Sequence, residues 1–558
     1  MRRFLSASVL IVFPLTLLSQ APVPRDKPEE PAPSPCFVAG RVVTAEGNPL
    51  KAARVVLVPE QARPDTHTYG TTSDSDGRFL LKDVAPGRFQ FFATRAGFVA
   101  QQYQSEGTEG GAVLGLKPGQ KISDVLFRMT VAAVIIGRVN NEDGEPMIGV
   151  QVVALRKPSE EDFEEESPFT SRKQRPVPVT STRTDDRGQY RIFGLKPGEY
   201  YIRVSDSFDP DPGGIPLGQD YWAQQSLGSE YAPVYYPGVG RVGQAEMVSV
   251  RPGEEVQADF SMQRIKTVEV AGRIISPEGP AKRAWVSLEP SEGYEFGFGH
   301  QDTTDENGNF RLKGVPPGSY VIMAYLQTEG EDIYEAHARQ NVEIDGENIE
   351  SLTIVLGGGA KFEGRVTVAG AGSVTMDRIR VGLIPIDEEE YVGGHGRVKK
   401  DGTFQITSVK DGDYAINVWG LEHDWFVKSA RLGPNELLEK GLQVEKGASG
   451  GRLEIVVSAA SARLEGSVTD GDHAIIGARV RITPDPETPY NRFHSQSTKT
   501  DQTGRFTITG LVPGKYRVLA RFQASAESGS LKSEPQNLTL GEHDHKTVEL
   551  TMPKPQGQ

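Results

Sequence analysis

The sequence predicts an all-β protein built from five tandem antiparallel β-sandwich modules that follow one another like beads on a string. The composition has 62 Gly and 38 Pro but only 37% hydrophobic residues, which favours many short strands joined by turns. The length of 558 residues is more than one hydrophobic core ordinarily serves. A single pattern of glycines, aromatic residues and alternating apolar residues occurs five times along the chain.

The first residues have the features of a secretion signal. Two arginines precede residues 4–18, an apolar stretch that is short for a membrane span. We expect residues 1–21 to be a signal peptide, with cleavage after Ser19 as an alternative to cleavage after Ala21. Retention of this stretch as a membrane anchor is a further alternative. The mature protein is then exported to the periplasm, the cell surface or the medium, and no later segment is predicted to span a bilayer.

Residues 22–36 are rich in proline and predict a semi-rigid spacer in front of the first module. Cys36 is the one cysteine of the sequence, so the modules are expected to fold without an intramolecular disulfide. Lipidation of Cys36 is an alternative, but the preceding residues lack the small apolar run of a lipoprotein signal. The formal net charge of −14 argues against a nucleic-acid partner, because phosphate binding depends on clustered Lys and Arg.

The most regular part of each copy lies between two glycines ten positions apart, and an aromatic residue stands two positions after each of them. Alternating apolar residues follow both aromatics, with the period of two of a half-buried strand. We predict a β-hairpin in every copy, and at Gly198 of the second copy a turn that needs a positive φ. The glycine pairs are Gly77 and Gly87, Gly188 and Gly198, Gly308 and Gly318, Gly402 and Gly412, and Gly504 and Gly514.

Three further strands complete each copy. The opening strand contains a glycine, the second strand alternates with one apolar and one polar face, and the last strand follows a turn. The opening glycines are Gly40, Gly137, Gly272, Gly364 and Gly466. Successive opening glycines lie 97, 135, 92 and 102 residues apart, which is the usual size of a β-sandwich. The predicted modules are residues 37–130, 131–264, 265–357, 358–459 and 460–553, and residues 554–558 form a tail.

The glycine-containing opening, the alternating second strand and the D-x-x-G-x-F to P-G-x-Y pattern resemble the carboxypeptidase regulatory-like domain. In the second copy the pattern comprises Asp185, Gly188, Tyr190, Pro197, Gly198 and Tyr200. The resemblance implies a transthyretin-like (prealbumin-like) sandwich, similar also to starch-binding-like and collagen-adhesin modules. In carboxypeptidases the domain accompanies a zinc peptidase domain, and no such domain remains in this chain. The fourth copy departs from the pattern, with Lys399 in place of the aspartate and Asp411 in place of the proline.

Motifs that carry chemistry elsewhere have structural explanations here. The histidines show no H-E-x-x-H spacing for zinc. Asp74 and Asp305 begin sequences that resemble calcium loops, but turns in which the aspartate side chain binds backbone N–H groups explain them better. Residues 447–451 spell G-x-S-x-G without the following helix of a hydrolase. Arginine at the opening positions disfavours a spontaneous isopeptide crosslink. No catalytic residue, metal or cofactor is predicted.

One segment carries candidate binding residues. The second copy has an insertion from about residue 208 to 242, rich in proline, glycine and aromatic residues; its candidate ligand-binding residues are Tyr221, Trp222, Tyr231, Tyr235 and Tyr236. These rings either cover a sheet or stack against a sugar or protein ligand. The sequence thus predicts a non-catalytic exported scaffold that binds an envelope or extracellular protein. The alternative is a carbohydrate-binding protein that holds a polysaccharide on a starch-binding-like face or on this insertion.

Overall fold

The structure is a computed structural model. It describes residues 34–60, 67–105, 111–158, 176–205, 231, 233–276, 278–291, 300–327, 334–357, 359–370, 372–386, 394–422, 424–445, 448, 450–523 and 530–554. Strands dominate these residues, and the helices are three short 3₁₀ turns at Val242–Gln244, Met376–Arg378 and Arg492–His494. None of the helices in this part of the chain is long and apolar enough to cross a membrane. The predicted all-β class is confirmed.

Buried apolar side chains form five large clusters in chain order. They span residues 36–129, 133–262, 268–356, 360–457 and 462–552. We call the units around these clusters modules one to five. The exact domain boundaries predicted from the sequence stay a prediction.

The strands of modules one and two are as follows. Module one contains β1 (Cys36–Thr44), β2 (Arg54–Pro59), β3 (Tyr69–Thr72), β4 (Arg78–Val84), β5 (Gly87–Thr94), β6 (Gln101–Gln102), β7 (Val113–Leu116) and β8 (Lys121–Met129). Module two contains β9 (Ala133–Asn140), β10 (Gln151–Arg156), β11 (Val177–Arg183), β12 (Gln189–Leu195), β13 (Gly198–Ser205), β14 (Val234–Tyr235), β15 (Val248–Val250), β16 (Glu255–Gln257) and β17 (Phe260–Ser261).

Modules three to five continue the series. Module three contains β18 (Val268–Ser276), β19 (Gly279–Pro280), β20 (Trp285–Pro290), β21 (His300–Thr303), β22 (Asn309–Val315), β23 (Gly318–Gln327), β24 (Tyr334–Ile344) and β25 (Ile349–Val355). Module four contains β26 (Ala360–Ala369), β27 (Arg380–Pro385), β28 (His395–Arg397), β29 (Thr403–Val409), β30 (Gly412–Trp419), β31 (Phe426–Leu432), β32 (Asn435–Glu436), β33 (Leu442–Val444) and β34 (Gly450–Ser458). Module five contains β35 (Ala462–Thr469), β36 (Arg479–Pro484), β37 (Gln496–Lys499), β38 (Arg505–Leu511), β39 (Gly514–Phe522), β40 (Leu531–Lys532), β41 (Gln536–Leu540) and β42 (His545–Thr551).

Each module has two sheets with one recurring topology. In the first sheet of module one, the opening strand β1 lies between β4, which is antiparallel, and the last strand β8, which is parallel. In the second sheet β2 lies between β3 and β5, and both pairs are antiparallel. The antiparallel sandwich predicted from the sequence is therefore present. In addition, the opening strand pairs in parallel with a strand near the end of each module, and in module two β9 pairs in parallel with both β16 and β17. Module four extends its first sheet, because β31 pairs with the outer side of β34.

The hairpin predicted between the two regular glycines is wrong. In module one, β4 pairs with β1 in the first sheet, whereas β5 pairs with β2 in the second sheet. The turn at Gly87 thus carries the chain from one sheet to the other, and the other four modules repeat this arrangement. Alternation with period two only reports that one face of each strand is buried. Two strands that face each other across a core have the same pattern as two strands that pair side by side.

The opening glycines allow close contact inside the first sheet. Gly137 pairs across the strands with Tyr190, and a Cβ atom at Gly137 would lie 2.0 Å from the carbonyl oxygen of Ala258 on the segment beside it. The same antiparallel pairing joins the opening glycine of the other four modules to the first of the two aromatic residues. Because the opening glycine has no side chain, the ring of the paired aromatic residue can lie against the opening strand at that position and pack into the core.

The beads-on-a-string arrangement needs one correction, since the first and last modules contact each other. Val113 of module one forms an isolated bridge with Asp501 of module five, and the side chain of Ile476 packs against the core of module one. Repeats in a sequence report on packing within each module. They contain no pattern that indicates which module surfaces meet.

Candidate functional sites

The turn directly before β4, β12, β22, β29 and β38 recurs in all five modules. Gly188 in module two has a φ of +69° and a Cβ atom there would lie 2.6 Å from the carbonyl oxygen of Val139. The corresponding glycines of the other modules have φ between +71° and +83° and are equally close to a carbonyl oxygen or a neighbouring side chain. A side chain at this position meets both an unfavourable backbone conformation and a steric clash.

An aspartate side chain closes this turn. Asp185 Oδ1 accepts hydrogen bonds from the backbone N–H groups of Arg187 and Gln189, at 2.9 and 2.8 Å. Asp74, Asp305 and Asp501 accept the same pair of bonds in modules one, three and five. These are the aspartate turns that the sequence favoured over calcium loops. In module four, Lys399 keeps the backbone bonds of the turn with Thr403 and Gly402.

Hydrogen bonds stabilise the ionised form of three carboxylates in these turns. The two backbone N–H groups hold the pKa of Asp185 below its ordinary value of 3.8. The backbone and side chain of Asn309 lower the pKa of Asp305 in the same way. In module four the hydroxyl and backbone N–H of Thr403 lower the pKa of Asp401. Each carboxylate is engaged in its own turn, which suits a structural role better than proton transfer.

A buried hydroxyl precedes the turn aspartate in four modules, and the sequence analysis missed it. Thr500 Oγ1 accepts the backbone N–H of Ala478 at 2.9 Å and donates to the carbonyl oxygen of Ile475 at 2.7 Å. Ser73, Thr184 and Thr304 make the equivalent two bonds in modules one to three. Module four has the buried Val398 at this position. A Ser or Thr before each turn aspartate was the available signal.

The second aromatic residue closes the crossing between the two sheets. In four modules it is a tyrosine whose hydroxyl donates to the carbonyl oxygen four residues earlier. Burial raises the pKa of Tyr320 to about 12, so this hydroxyl remains a donor at neutral pH. Module one has Phe89 instead. The P-G-x-Y pattern therefore marks the turn by which the chain crosses from one sheet to the other. Its tyrosine hydroxyl bonds to an upstream backbone carbonyl, as in the tyrosine corner of other sandwiches.

The described end of the aromatic insertion, residues 233–242, lies on the outer face of the second sheet of module two. Tyr235 lies on β14, which pairs with β13, and its side chain is fully buried against Val153 and Leu155 of β10. Val239 and Val242 pack around the same small cluster. Tyr235 is therefore not available as a platform for a ligand. Its hydroxyl has no hydrogen-bond partner among the described residues.

The other four candidate rings divide into two groups. Tyr236 is half-buried and meets Phe260 edge-on, with ring centroids 6.0 Å apart. Tyr231 is half-buried beneath the guanidinium of Arg264, 5.7 Å from the ring centroid. Tyr221 and Trp222 lie outside the described residues. The structure thus brings three of the five predicted residues onto module two as packing, and a ligand-binding role of the insertion stays a prediction.

Two other predicted features have defined surroundings. Cys36 is the first residue of β1, is buried, and its thiol donates to the carbonyl oxygen of Lys117 at 3.0 Å. Gly447 and Ser449 of the G-x-S-x-G sequence lie outside the described residues. Gly450 is the first residue of β34, so a strand and not a helix follows. Among the residues with a described position, no group of three or more His, Cys, Asp or Glu side chains could hold a metal ion.

Comparison with known proteins finds a family match for three of the modules. The family model of the carboxypeptidase regulatory-like domain matches residues 38–117, 134–211 and 463–553, in modules one, two and five. Three segments of the chain therefore match the carboxypeptidase regulatory-like domain. Modules three and four share the strand order of the matched modules. The matched family is a regulatory-like domain rather than a catalytic one. No curated protein matches the chain.

Solved structures similar to the chain resemble it only distantly. The Bacillus anthracis TIE protein is 11% identical, with a TM-score of 0.14, and the match covers 94% of this chain and 73% of that one. A Streptococcal ancillary pilin is 12% identical, with a TM-score of 0.20, over 57% of this chain and 98% of the pilin. A putative carbohydrate binding protein from Pseudomonas aeruginosa is 19% identical, with a TM-score of 0.14, over 16% of this chain and 89% of that one.

Proposed function

We propose that the protein is an exported, non-catalytic modular scaffold that binds proteins of the envelope or the extracellular space. The observation that carries this proposal is the use of the recurring polar side chains. The turn aspartates, the hydroxyls before them and the crossing tyrosines all bond to the backbone of their own module. Residues that recur for folding leave the loops and outer faces to vary between modules, which suits a scaffold with several different surfaces.

Affinity capture with the mature full-length protein tests the scaffold proposal directly. The expected result is the enrichment of one or a few envelope or extracellular proteins. The matched control is a chain with Gly188→Ala, which perturbs module two while leaving the other modules in place. Turnover of a peptide, ester or glycoside substrate by the purified protein would contradict the non-catalytic part of the proposal.

A carbohydrate-binding role is the second candidate, and the composition of the insertion favours it. Sugar binding would use either a starch-binding-like face of a module or the insertion. Within the insertion Tyr221 and Trp222 are the candidates to test, because Tyr235 is buried. A variant that retains Trp222 as its only tryptophan reports on this site by acrylamide quenching. Strong quenching that a polysaccharide relieves would support sugar binding. Protection from the quencher, with no change on adding any glycan of an array, would exclude it at this site.

A further inference from the structure

We propose that modules one and five are a matched docking pair that closes the chain on itself. The contact joins the second sheet of module one to the aspartate turn and the neighbouring strand β37 of module five. It is distinct from the proposed scaffold role, because it concerns a surface inside the chain rather than a foreign ligand.

The backbone of module one is bonded by a side-chain amide of module five. Gln502 accepts the N–H of Gly115 through Oε1 at 3.0 Å and donates from Nε2 to the carbonyl oxygen of the same glycine at 2.7 Å. Gly115 lies on β7, at the edge of the second sheet of module one. An amide that satisfies both polar groups of one edge residue reproduces the bonding of an additional strand.

A charged cluster lies beside this amide. Arg88 Nε donates to Glu60 Oε2 at 2.6 Å within module one, and Arg88 also donates to the carbonyl oxygen of Lys499 in module five at 2.7 Å. The Thr498 hydroxyl donates to the other oxygen of Glu60 at 2.8 Å. The side chains of Arg88 and Glu60 are only 21% and 17% exposed. Charges this far from water are stable where they are hydrogen-bonded, and module five supplies an acceptor to Arg88 and a donor to Glu60.

An apolar contact completes the surface. Ile476 packs against the core of module one, whose Ala112 is fully buried beside Gly477. The equivalent residue of module two, Ile148, is 66% exposed. The same residue type at the same position in the fold is therefore covered only where module one lies over it.

The contact depends on residues that the other copies do not share. Arg88 is replaced at the equivalent positions by Glu199, Ser319, Asp413 and Lys515, and Gln502 by Ser75, Asp186, Glu306 and Lys400. Positions that differ between copies of one fold are those that distinguish their surfaces. The differences at this contact allow module five to select module one among the five modules.

A disulfide provides the test on the full chain. A Cβ atom on Gly115 would lie 3.6 Å from Cβ of Asp501, within the range of a disulfide. Cys36→Ser removes the native thiol while keeping a donor for its hydrogen bond. In this background we expect Gly115→Cys with Asp501→Cys to oxidise to an internally crosslinked monomer that migrates differently on a non-reducing gel. The yield should not change over a roughly hundredfold dilution, because the reaction lies within one chain.

Two matched controls define the outcome. Asp305→Cys places a thiol in the same turn of module three, and with Gly115→Cys it should give no crosslink above background. Arg88→Glu should reduce the crosslink yield at fixed oxidation time by about tenfold, whereas Arg78→Glu, at an exposed ion pair of the same module, should leave it unchanged. A yield equal to that of the Asp305 control would overturn the docking pair. Mainly interchain dimers would overturn closure of the chain on itself.

Discussion

The hydroxyl of Tyr516 donates a hydrogen bond of 2.7 Å to the carbonyl oxygen of Val512, across the turn that carries the chain between the two sheets of module five. The bond spans the residues Pro513 and Gly514, which turn the chain. It therefore fixes the angle at which β39 leaves the turn.

Tyr516→Phe removes this bond while keeping the buried ring. We expect a loss of about 1 kcal/mol in the stability of module five, the usual net value of one hydrogen bond. Thermal and urea unfolding of the full chain, followed by the transition assigned to module five, measures it. Module one has Phe89 at this position, so Phe89→Tyr serves as the reverse variant. A change in stability larger for Phe89→Tyr in module one than for Tyr516→Phe in module five would contradict the value assigned to this hydrogen bond.

Thr500→Val leaves the N–H of Ala478 and the carbonyl oxygen of Ile475 buried without their partner. The expected cost is about 1 to 3 kcal/mol, the penalty of unsatisfied buried polar groups. Thr500→Ser keeps the hydroxyl, as Ser73 does in module one, and should lie close to the wild-type protein. Equal unfolding midpoints for the Val and Ser variants would show that the hydroxyl does not matter.

Two glycines of module two separate backbone strain from steric clash. Gly194 has a φ of +79° with no atom near its missing side chain, and module one has Asp83 at that position with a φ of +54°. Gly194→Ala should cost about 1 kcal/mol. Gly188→Ala also meets the carbonyl oxygen of Val139 and should cost on the order of 3 kcal/mol. Urea unfolding of both variants checks the order, and a larger loss for Gly194→Ala would contradict it.

The turn aspartates of modules two and three make stability depend on acid pH. The pKa of Asp185 and of Asp305 is lowered in the folded protein, so both groups stabilise it above the unfolded pKa of 3.8, and this contribution is lost as the pH falls through the folded value. We expect Asp185→Asn with Asp305→Asn to flatten the decline of Tm between roughly pH 5 and pH 2. Asparagine retains the acceptor oxygen but does not titrate. A decline as steep as that of the wild-type protein would exclude these two groups as its source.

Tyr235 is expected to respond differently to its two simplest substitutions. Tyr235→Ala removes a fully buried ring and should destabilise module two by about 3 to 5 kcal/mol. Tyr235→Phe removes only a hydroxyl that has no partner among the described residues, so stability should be unchanged or higher. Thermal unfolding of both variants measures the contrast. A loss of more than about 1 kcal/mol for Tyr235→Phe would indicate a hydrogen bond to that hydroxyl.

Sequence reasoning identified the fold class, the repeat and the turn aspartates, because each depends on contacts between residues close in the chain. The strand that pairs with β5, which begins at Gly87, could not be deduced from the sequence. Apolar and polar residues alternate in the same way whether two strands pair side by side or face each other across the core. The burial of Tyr235 was equally out of reach, because a loop ring that covers a sheet and one that stacks on a ligand have the same local sequence. The contact between Gln502 and Gly115 joins residues from opposite ends of the chain, with no repeating signal.

The parallel pairing of β1 with β8, and of β35 with β42 in module five, fixes how a pulling force would act. Parallel strands place the entry of the chain at one end of the module and its exit at the other. Tension applied at the two ends would therefore shear the ladder lengthwise and load all of its hydrogen bonds at once, rather than peel them apart one by one. Opening a module under such tension would therefore require the hydrogen bonds between its first and last strands to break together.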